Sequence, residues 1–354
     1  MISIVITFYN GAKFAAQCVD SILNQNFDDI HVVLVDDAST DGTLSILRNY
    51  EEQYKRVSVI TNSINGGVSN ARYNGFLASP EESEYVMFLD GDDVLCGGAL
   101  SHLSKIARER ESDIVIGKCI FSENPERDSK LVFKTNSDEG SEKTGSENKN
   151  SKYSVKDAED IESLYLEDDF DNMLVGKLYK TSFLKRLNVE KNKERCPFMF
   201  FEDYMCTVWF FDQAKSITLT DRNIWCHRER PGSVSHDSKL IGWHFDHIEA
   251  GKYVLRYTDK RNLNRIRRKE LTRYISIIGR IYCLLEINPI SPDDKVAYEK
   301  RILKEARKVF NDYKTYGSDS GFRKAFFRLF ITKPKLWRKI VLNTYYRSYH
   351  QVSG

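Results

Sequence analysis

Over roughly its first 120 residues the chain alternates short apolar runs with stretches whose apolar positions recur every three or four residues. Ile2–Thr7 is such a run, as expected of a strand buried on both faces. Residues 12–25 then carry Phe14, Ala15, Cys18, Ile22 and Leu23 at helical spacing. The same reading predicts strands over His31–Val35, Val57–Ile60, Tyr85–Leu89 and Asp113–Ile116. It predicts helices over Thr43–Tyr54, Val68–Ala78 and Ala99–Arg108. This alternation implies an α/β fold, a mainly parallel sheet flanked by helices on both faces. Ligands in that architecture bind beyond the carboxyl ends of the strands, so the residues just after each strand are the ones to read for chemistry.

Residues 122–160 change character. Ser, Glu, Asn, Lys and Asp dominate, and the segment reads as a flexible polar insertion. Apolar clusters return over 161–237, at Phe198–Phe201 and Val208–Phe211, and from about 240 the pattern is helical and basic, with Leu271–Leu285 amphipathic. The expected organisation is one α/β domain over 1–237 and a helical, basic C-terminal region over 238–354. A length of 354 residues suits a domain plus an appendage, and 41% hydrophobic content supports a substantial core. A formal net charge of +2 argues against a nucleic-acid partner. The seven cysteines (Cys18, Cys96, Cys119, Cys196, Cys206, Cys226, Cys283) lack zinc-like spacing and read as reduced thiols of a cytosolic enzyme. The opening residues read as a strand and not a signal peptide, and no apolar run approaches the length of a spanning helix.

Three acidic constellations follow apolar runs. In Val35-Asp36-Asp37-Ala38-Ser39-Thr40-Asp41-Gly42-Thr43 a strand ends in two aspartates. A carboxylate there can accept the N3–H of a uracil ring or ribose hydroxyls, or it can simply organise the turn. In Phe88-Leu89-Asp90-Gly91-Asp92-Asp93, three carboxylates within four residues repel one another unless a cation neutralises them. Oxygen ligands of this kind suit Mg²⁺ or Mn²⁺, which would also hold diphosphate oxygens. The plainer reading, an acidic helix start, accounts for Asp92 or Asp93 but not all three. In Phe200-Phe201-Glu202-Asp203-Tyr204, Asp203 is the candidate general base, with Glu202 as an orienting neighbour or acceptor ligand. A helix cap is the competing reading of that pair.

Two further stretches fit the same chemistry. Asn65-Gly66-Gly67-Val68-Ser69-Asn70-Ala71-Arg72 is a glycine turn into a helix, suited to close approach by a nucleotide. Cys226-His227-Arg228-Glu229-Arg230-Pro231-Gly232 joins cations and glycine in a loop. Arg228 or Arg230 could clamp a diphosphate, and His227 could ligate the metal or a phosphate oxygen.

In this order the motifs resemble the inverting family 2 glycosyltransferases with the GT-A fold, in their bacterial surface-polysaccharide branch. Ile4-Val5-Ile6-Thr7-Phe8-Tyr9-Asn10 looks like the family's first strand and loop, and the segment from Val35 like its base-binding segment. Phe88–Asp93 is similar to its D-x-D metal motif, and Lys177-Leu178-Tyr179 with Glu202-Asp203 to its acceptor side. The resemblance covers about 1–120 and 170–237. It implies a UDP-sugar donor held by Thr7, Tyr9, Asp36, Asp37, Arg72, Asp90, Arg228 and Arg230. It further implies Mn²⁺ or Mg²⁺ at Asp92 with Asp90 and His227, a base at Asp203, and inversion at the anomeric carbon. Ala38 replaces the usual glycine, a mild change if its φ is negative. The Q-x-x-R-W signature of processive synthases is absent, which implies single transfers.

Residues 321–354 hold eight Lys/Arg and no acid, interleaved with Phe322, Phe326, Phe327, Phe330, Trp337, Tyr345, Tyr346 and Tyr349. Such a tail fits either an anionic bilayer carrying lipid-linked acceptors or packing of its aromatics on protein. The expected location is the cytoplasm, with peripheral contact to the inner membrane face. Two alternatives compete: a sugar nucleotidyltransferase, which wants a Gly- and Arg-bearing loop where Phe8–Lys13 has one glycine and no arginine, and a nucleotide-sugar-binding module without turnover. The sugar, the acceptor and the oligomeric state are not legible.

Overall fold

The computed structural model describes residues 1–129, 154–157, 165, 173–188, 202–229, 241–288, 290–316 and 321–342. The chain forms two compact units, Met1–Pro231 and Gly232–Gly354.

In the first unit the elements run β1 (Ile2–Phe8), α1 (Ala12–Leu23), β2 (Ile30–Asp36), α2 (Thr43–Gln53), β3 (Val57–Thr61), α3 (Val68–Leu77), β4 (Tyr85–Asp90), β5 (Val94–Leu95) and α4 (Ala99–Arg110). They continue with β6 (Ile114–Ser122), β7 (Ser154–Asp157), β8 (Leu178–Lys180), α5 (Thr181–Leu187), α6 (Glu202–Gln213) and β9 (Ser216–Arg228). Among the described residues one sheet orders its strands β3-β2-β1-β4-β8-β6-β9-β5, with β7 also paired to β9. The first four are parallel, β8 enters antiparallel to both β4 and β6, and β6 and β9 are parallel. β1 is buried along its whole length, which is why its sequence is an apolar run and not an alternation.

The polar stretch 122–160 is not wholly an insertion. Ser154–Asp157 is a strand on β9, and residues 125–129 form a helical turn after β6. The rest of that stretch, and Phe198–Phe201, lie outside the described residues.

The second unit holds α7 (Ile241–Lys260), α8 (Asn264–Ile287), α9 (Pro292–Tyr316), α10 (Gly321–Thr332) and α11 (Pro334–Val341). The predicted Leu271–Leu285 stretch falls within α8. Phe327, Phe330 and Trp337 are core residues here. The Trp337 ring lies 4.5 Å from that of Phe330 and 5.3 Å from that of Phe326. Burying these rings together removes more apolar area from water than leaving them on a surface, so the protein-packing reading of the tail's aromatics holds for them. Tyr345, Tyr346 and Tyr349 lie outside the described residues. No described helix is long and apolar enough to cross a membrane. No disulfide joins any of the six described cysteines, all but Cys196.

Candidate functional site

Sheet register sets the site. Phe8 aligns with Asp36 on one side of β1, and Thr7 aligns with Asp90 on the other. Asp36 and Asp90 therefore end strands two positions apart, roughly 10 Å from lateral spacing alone. Asp36 is buried. One of its oxygens, Oδ2, accepts the Ser39 N–H at 3.3 Å, and Oδ1 has no partner among the described residues. Asp37 is committed to structure: its carboxylate accepts from Asn62 Nδ2 (2.7 Å), Gly66 N–H (3.0 Å) and Gly67 N–H (2.9 Å). It thereby holds the glycine loop that leads into α3.

The rest of the Val35–Thr43 motif zips two loops together. Ser39 Oγ accepts the Asn10 N–H (2.9 Å), Asn10 Oδ1 accepts the Thr40 N–H (2.8 Å), and Thr43 Oγ1 accepts the Gly11 N–H (2.9 Å). Asp41 Oδ2 accepts the Ala12 N–H at 3.1 Å. Tyr9, in the same rim, stays 53% exposed, unusual for a large ring beside buried carboxylates. Ala38 has φ 60°, not the negative value that would make the loss of glycine mild. An alanine there carries left-handed strain.

Arg72 is the centre of the arrangement. It is buried on α3; its Nη2 donates to Asp90 Oδ1 at 2.8 Å and its Nη1 to Asp203 Oδ1 at 3.1 Å. The carboxylates after β4 and at the start of α6 thus converge on one guanidinium. Asp203 Oδ1 also accepts the Leu174 N–H at 3.1 Å, so both recorded bonds fall on one oxygen and leave Oδ2 for another proton. Burial pushes the Asp203 carboxyl above the usual carboxylate range; Asp90 adds to this, against Arg72, the Leu174 N–H and Lys177. The side chain of its neighbour Glu202 lies outside the described residues.

The remaining aspartates have protein partners too. Asp93 is fully buried; its Oδ1 accepts the Arg228 N–H at 3.0 Å and lies 3.1 Å from His227 Nδ1. Burial opposes charge on His227, but the Asp93 hydrogen bond and the charges of Asp93, Asp90 and Asp92 raise its pKa to about 9. In its protonated form His227 is the counter-ion of Asp93, and to ligate a metal it would have to give up that proton. Arg228 is likewise a buried brace and not an open diphosphate clamp. Its Nε donates to the Asp92 carbonyl (2.8 Å), its Nη2 reaches Gln17 (3.1 Å) and Glu126, and its guanidinium covers the Phe14 ring at 4.6 Å. Arg230 lies outside the described residues.

Repulsion among the three aspartates is therefore relieved largely within the protein, by Arg72 and His227. Among the described residues there is no ready-made cluster of three metal-ligating side chains. What the chain offers is the half-buried Asp92 and the second oxygen of Asp90. That suits Mg²⁺ or Mn²⁺ held by one or two carboxylates, with phosphates and water completing the shell. Gly91 is needed between them, because a Cβ would sit 2.2 Å from the Phe8 ring.

Residues 3–171 match the sequence profile of glycosyl transferase family 2. Over that stretch, just under half of its length, the chain is similar to that family. Among its relatives, the poly(ribitol-phosphate) beta-glucosyltransferase of Bacillus spizizenii is 36% identical over 149 residues, covering 37% of this chain and only 23% of the relative's length. Glycosyltransferase GlyG of Streptococcus pneumoniae is 25% identical over 250 residues, 71% of this chain and 78% of its own length. The crystal structure of S. aureus TarS 1-349 in complex with UDP superposes with a TM-score of 0.56 at 18% identity, covering 89% of this chain and 91% of that one. At that identity the likeness establishes the fold, which is the GT-A type expected from the motifs.

Two features of the site were not legible in the sequence. One is the bridging role of Arg72, nominated only as a donor contact. The other is the fully aligned, 56% exposed Phe121, whose ring lies edge-on 5.5 Å from His227. An exposed phenylalanine on a regular strand was the available signal for it.

Proposed function

We propose that this chain transfers a single sugar from a UDP-sugar donor to a hydroxyl of a glycan or lipid-linked glycan, inverting the anomeric centre. The observation that carries this reading is the Arg72 bridge between Asp90 and Asp203, which draws the candidate donor-side and acceptor-side carboxylates to one point. Asp36 accepts the uracil N3–H, and Tyr9 covers the base. Asp92 and Asp90 hold Mn²⁺ or Mg²⁺, which when bound supplies Lewis-acid stabilisation of the diphosphate leaving group.

Asp203 Oδ2 takes the proton of the acceptor hydroxyl as its oxygen bonds to the anomeric carbon. The bond from that carbon to the β-phosphate oxygen breaks, and UDP departs with the electron pair. Asp203's raised pKa brings it nearer to neutral pH, where a general base is most effective. Arg72 fixes the Asp203 carboxylate through Oδ1 and prevents repulsion by Asp90. The relatives support the class of chemistry: the Bacillus spizizenii relative is a poly(ribitol-phosphate) beta-glucosyltransferase, and a lipid-linked acceptor would bring this chain to a membrane surface.

The test is release of UDP from a panel of UDP-sugars with Mn²⁺ or Mg²⁺, by wild type and Asp203→Asn. Acceptor-dependent release that collapses in the variant supports transfer. Nucleotide binding without release from any donor, identical in both proteins, would favour a binding module.

A further inference from the structure

α11 has two dissimilar faces. On one, Trp337 and Arg338 are buried. Trp337 sits among the Phe326 and Phe330 rings, and Arg338 bonds Glu286 at 2.8 Å and Glu299 at 2.7 Å while covering the Tyr282 ring at 4.6 Å. The other face carries Lys335 and Lys339 one turn apart. Beside them run Leu336 and Ile340, also one turn apart. Leu336 and Ile340 are 46% and 40% exposed. Lys333, just before the helix, is exposed as well.

A single exposed leucine means little. Here two branched aliphatics form a stripe along a stripe of lysines, in a helix that already has a satisfied buried side. From Gly321 to Leu342 the cations are Arg323, Lys324, Arg328, Lys333, Lys335, Arg338 and Lys339, and there is no acid. Among the described side chains of this stretch, Arg338 is neutralised by Glu286 and Glu299. Glu286, whose charge Lys335 also feels, is met by Lys295 at 3.0 Å and by Arg338. The exposed face therefore combines apolar surface with net positive charge.

We propose that this face of α11 docks on an anionic lipid bilayer. Leu336 and Ile340 enter the boundary between headgroups and acyl chains, and Lys333, Lys335 and Lys339 meet lipid phosphates. Charge complementarity selects the anionic bilayer over a neutral one. The surface differs from the aromatic one suggested by composition, because the rings are core and the aliphatic pair is exposed. The choice of a bilayer over an acidic protein draws on the proposed lipid-linked acceptor, but the contact itself can be measured without turnover.

The experiment is flotation of the full chain with phosphatidylcholine vesicles, with and without phosphatidylglycerol. Wild type is expected to float only with phosphatidylglycerol and to be released by salt. The triple change Lys333→Glu, Lys335→Glu and Lys339→Glu is expected to weaken partitioning at least about tenfold. The pair Leu336→Ser and Ile340→Ser is expected to weaken it with the charge intact. All five positions are exposed, and unchanged circular dichroism and melting temperature verify folding. The proposal is overturned if wild type does not float, or if all variants float equally. It is also overturned if the serine pair instead abolishes self-association in sedimentation with no effect on lipid, which would assign the face to a second copy. None of these outcomes bears on UDP release, so failure here leaves the proposed transfer standing.

Discussion

Asp93 and His227 form an ion pair, 3.1 Å between Oδ1 and Nδ1, that ties the turn after β4 to the end of β9. The imidazole is only 24% exposed, so the pair is partly shielded from solvent. Its pKa, about 9, lies above the ordinary 6.5. Protonation of His227 contributes stability that is present below about pH 6.5 and lost as pH rises through about 9, opposed by burial of Asp93, which raises that carboxyl to about 7. Thermal unfolding from pH 6 to 10 is expected to show a falling melting temperature in wild type and a flatter curve in His227→Gln. Parallel curves would contradict the pairing.

Arg72 bridges two carboxylates with two nitrogens, which one ammonium cannot reproduce in the same plane. Arg72→Lys is expected to keep the fold while lowering kcat by about 10- to 100-fold, since a misplaced base loses near-attack geometry. Arg72→Ala leaves the carboxylates uncompensated and is expected to cost about 3–5 kcal/mol of stability. Steady-state kinetics beside chemical denaturation separate the two effects.

Asp203→Asn is expected to lower kcat by about 10²- to 10⁴-fold, the usual contribution of a general base, while UDP affinity changes little. In wild type the acidic limb of the kcat/KM profile is expected above the normal aspartate range, in keeping with the raised pKa of Asp203. Loss of UDP binding in parallel with turnover would point to a donor role instead.

Ala38 at φ 60° predicts a gain from restoring glycine. Relief of left-handed strain is worth about 1–2 kcal/mol, partly offset by the greater freedom of glycine in the unfolded chain. Ala38→Gly is therefore expected to raise stability by about 0.5–1 kcal/mol in urea titrations. A neutral or negative change would show that the loop contacts already absorb the strain.

β1, β2 and β4 were legible because each is buried along nearly its whole length and its sequence is correspondingly apolar. β5 and β8 were not, being two and three residues long, too short for a period to register. β7 was hidden by the polar composition around it. At the site, sequence shows where carboxylates lie but not what faces them. Arg72 lies 18 positions from Asp90 and 131 from Asp203, and His227 lies 134 from Asp93. The apparent surplus of negative charge after β4 was therefore real in the sequence and largely balanced in the fold. Ala38 carried no legible warning, because a methyl side chain gives no hint of backbone angle.

Asp203 lies beyond the 3–171 stretch shared with the family, yet it is gripped by an arginine from within that stretch. A guanidinium placed within the matched stretch thus serves as a socket for a group delivered by the chain beyond it. The socket holds one oxygen of Asp203 and leaves the other facing away from it, the oxygen to which the proposed transfer gives the acceptor proton.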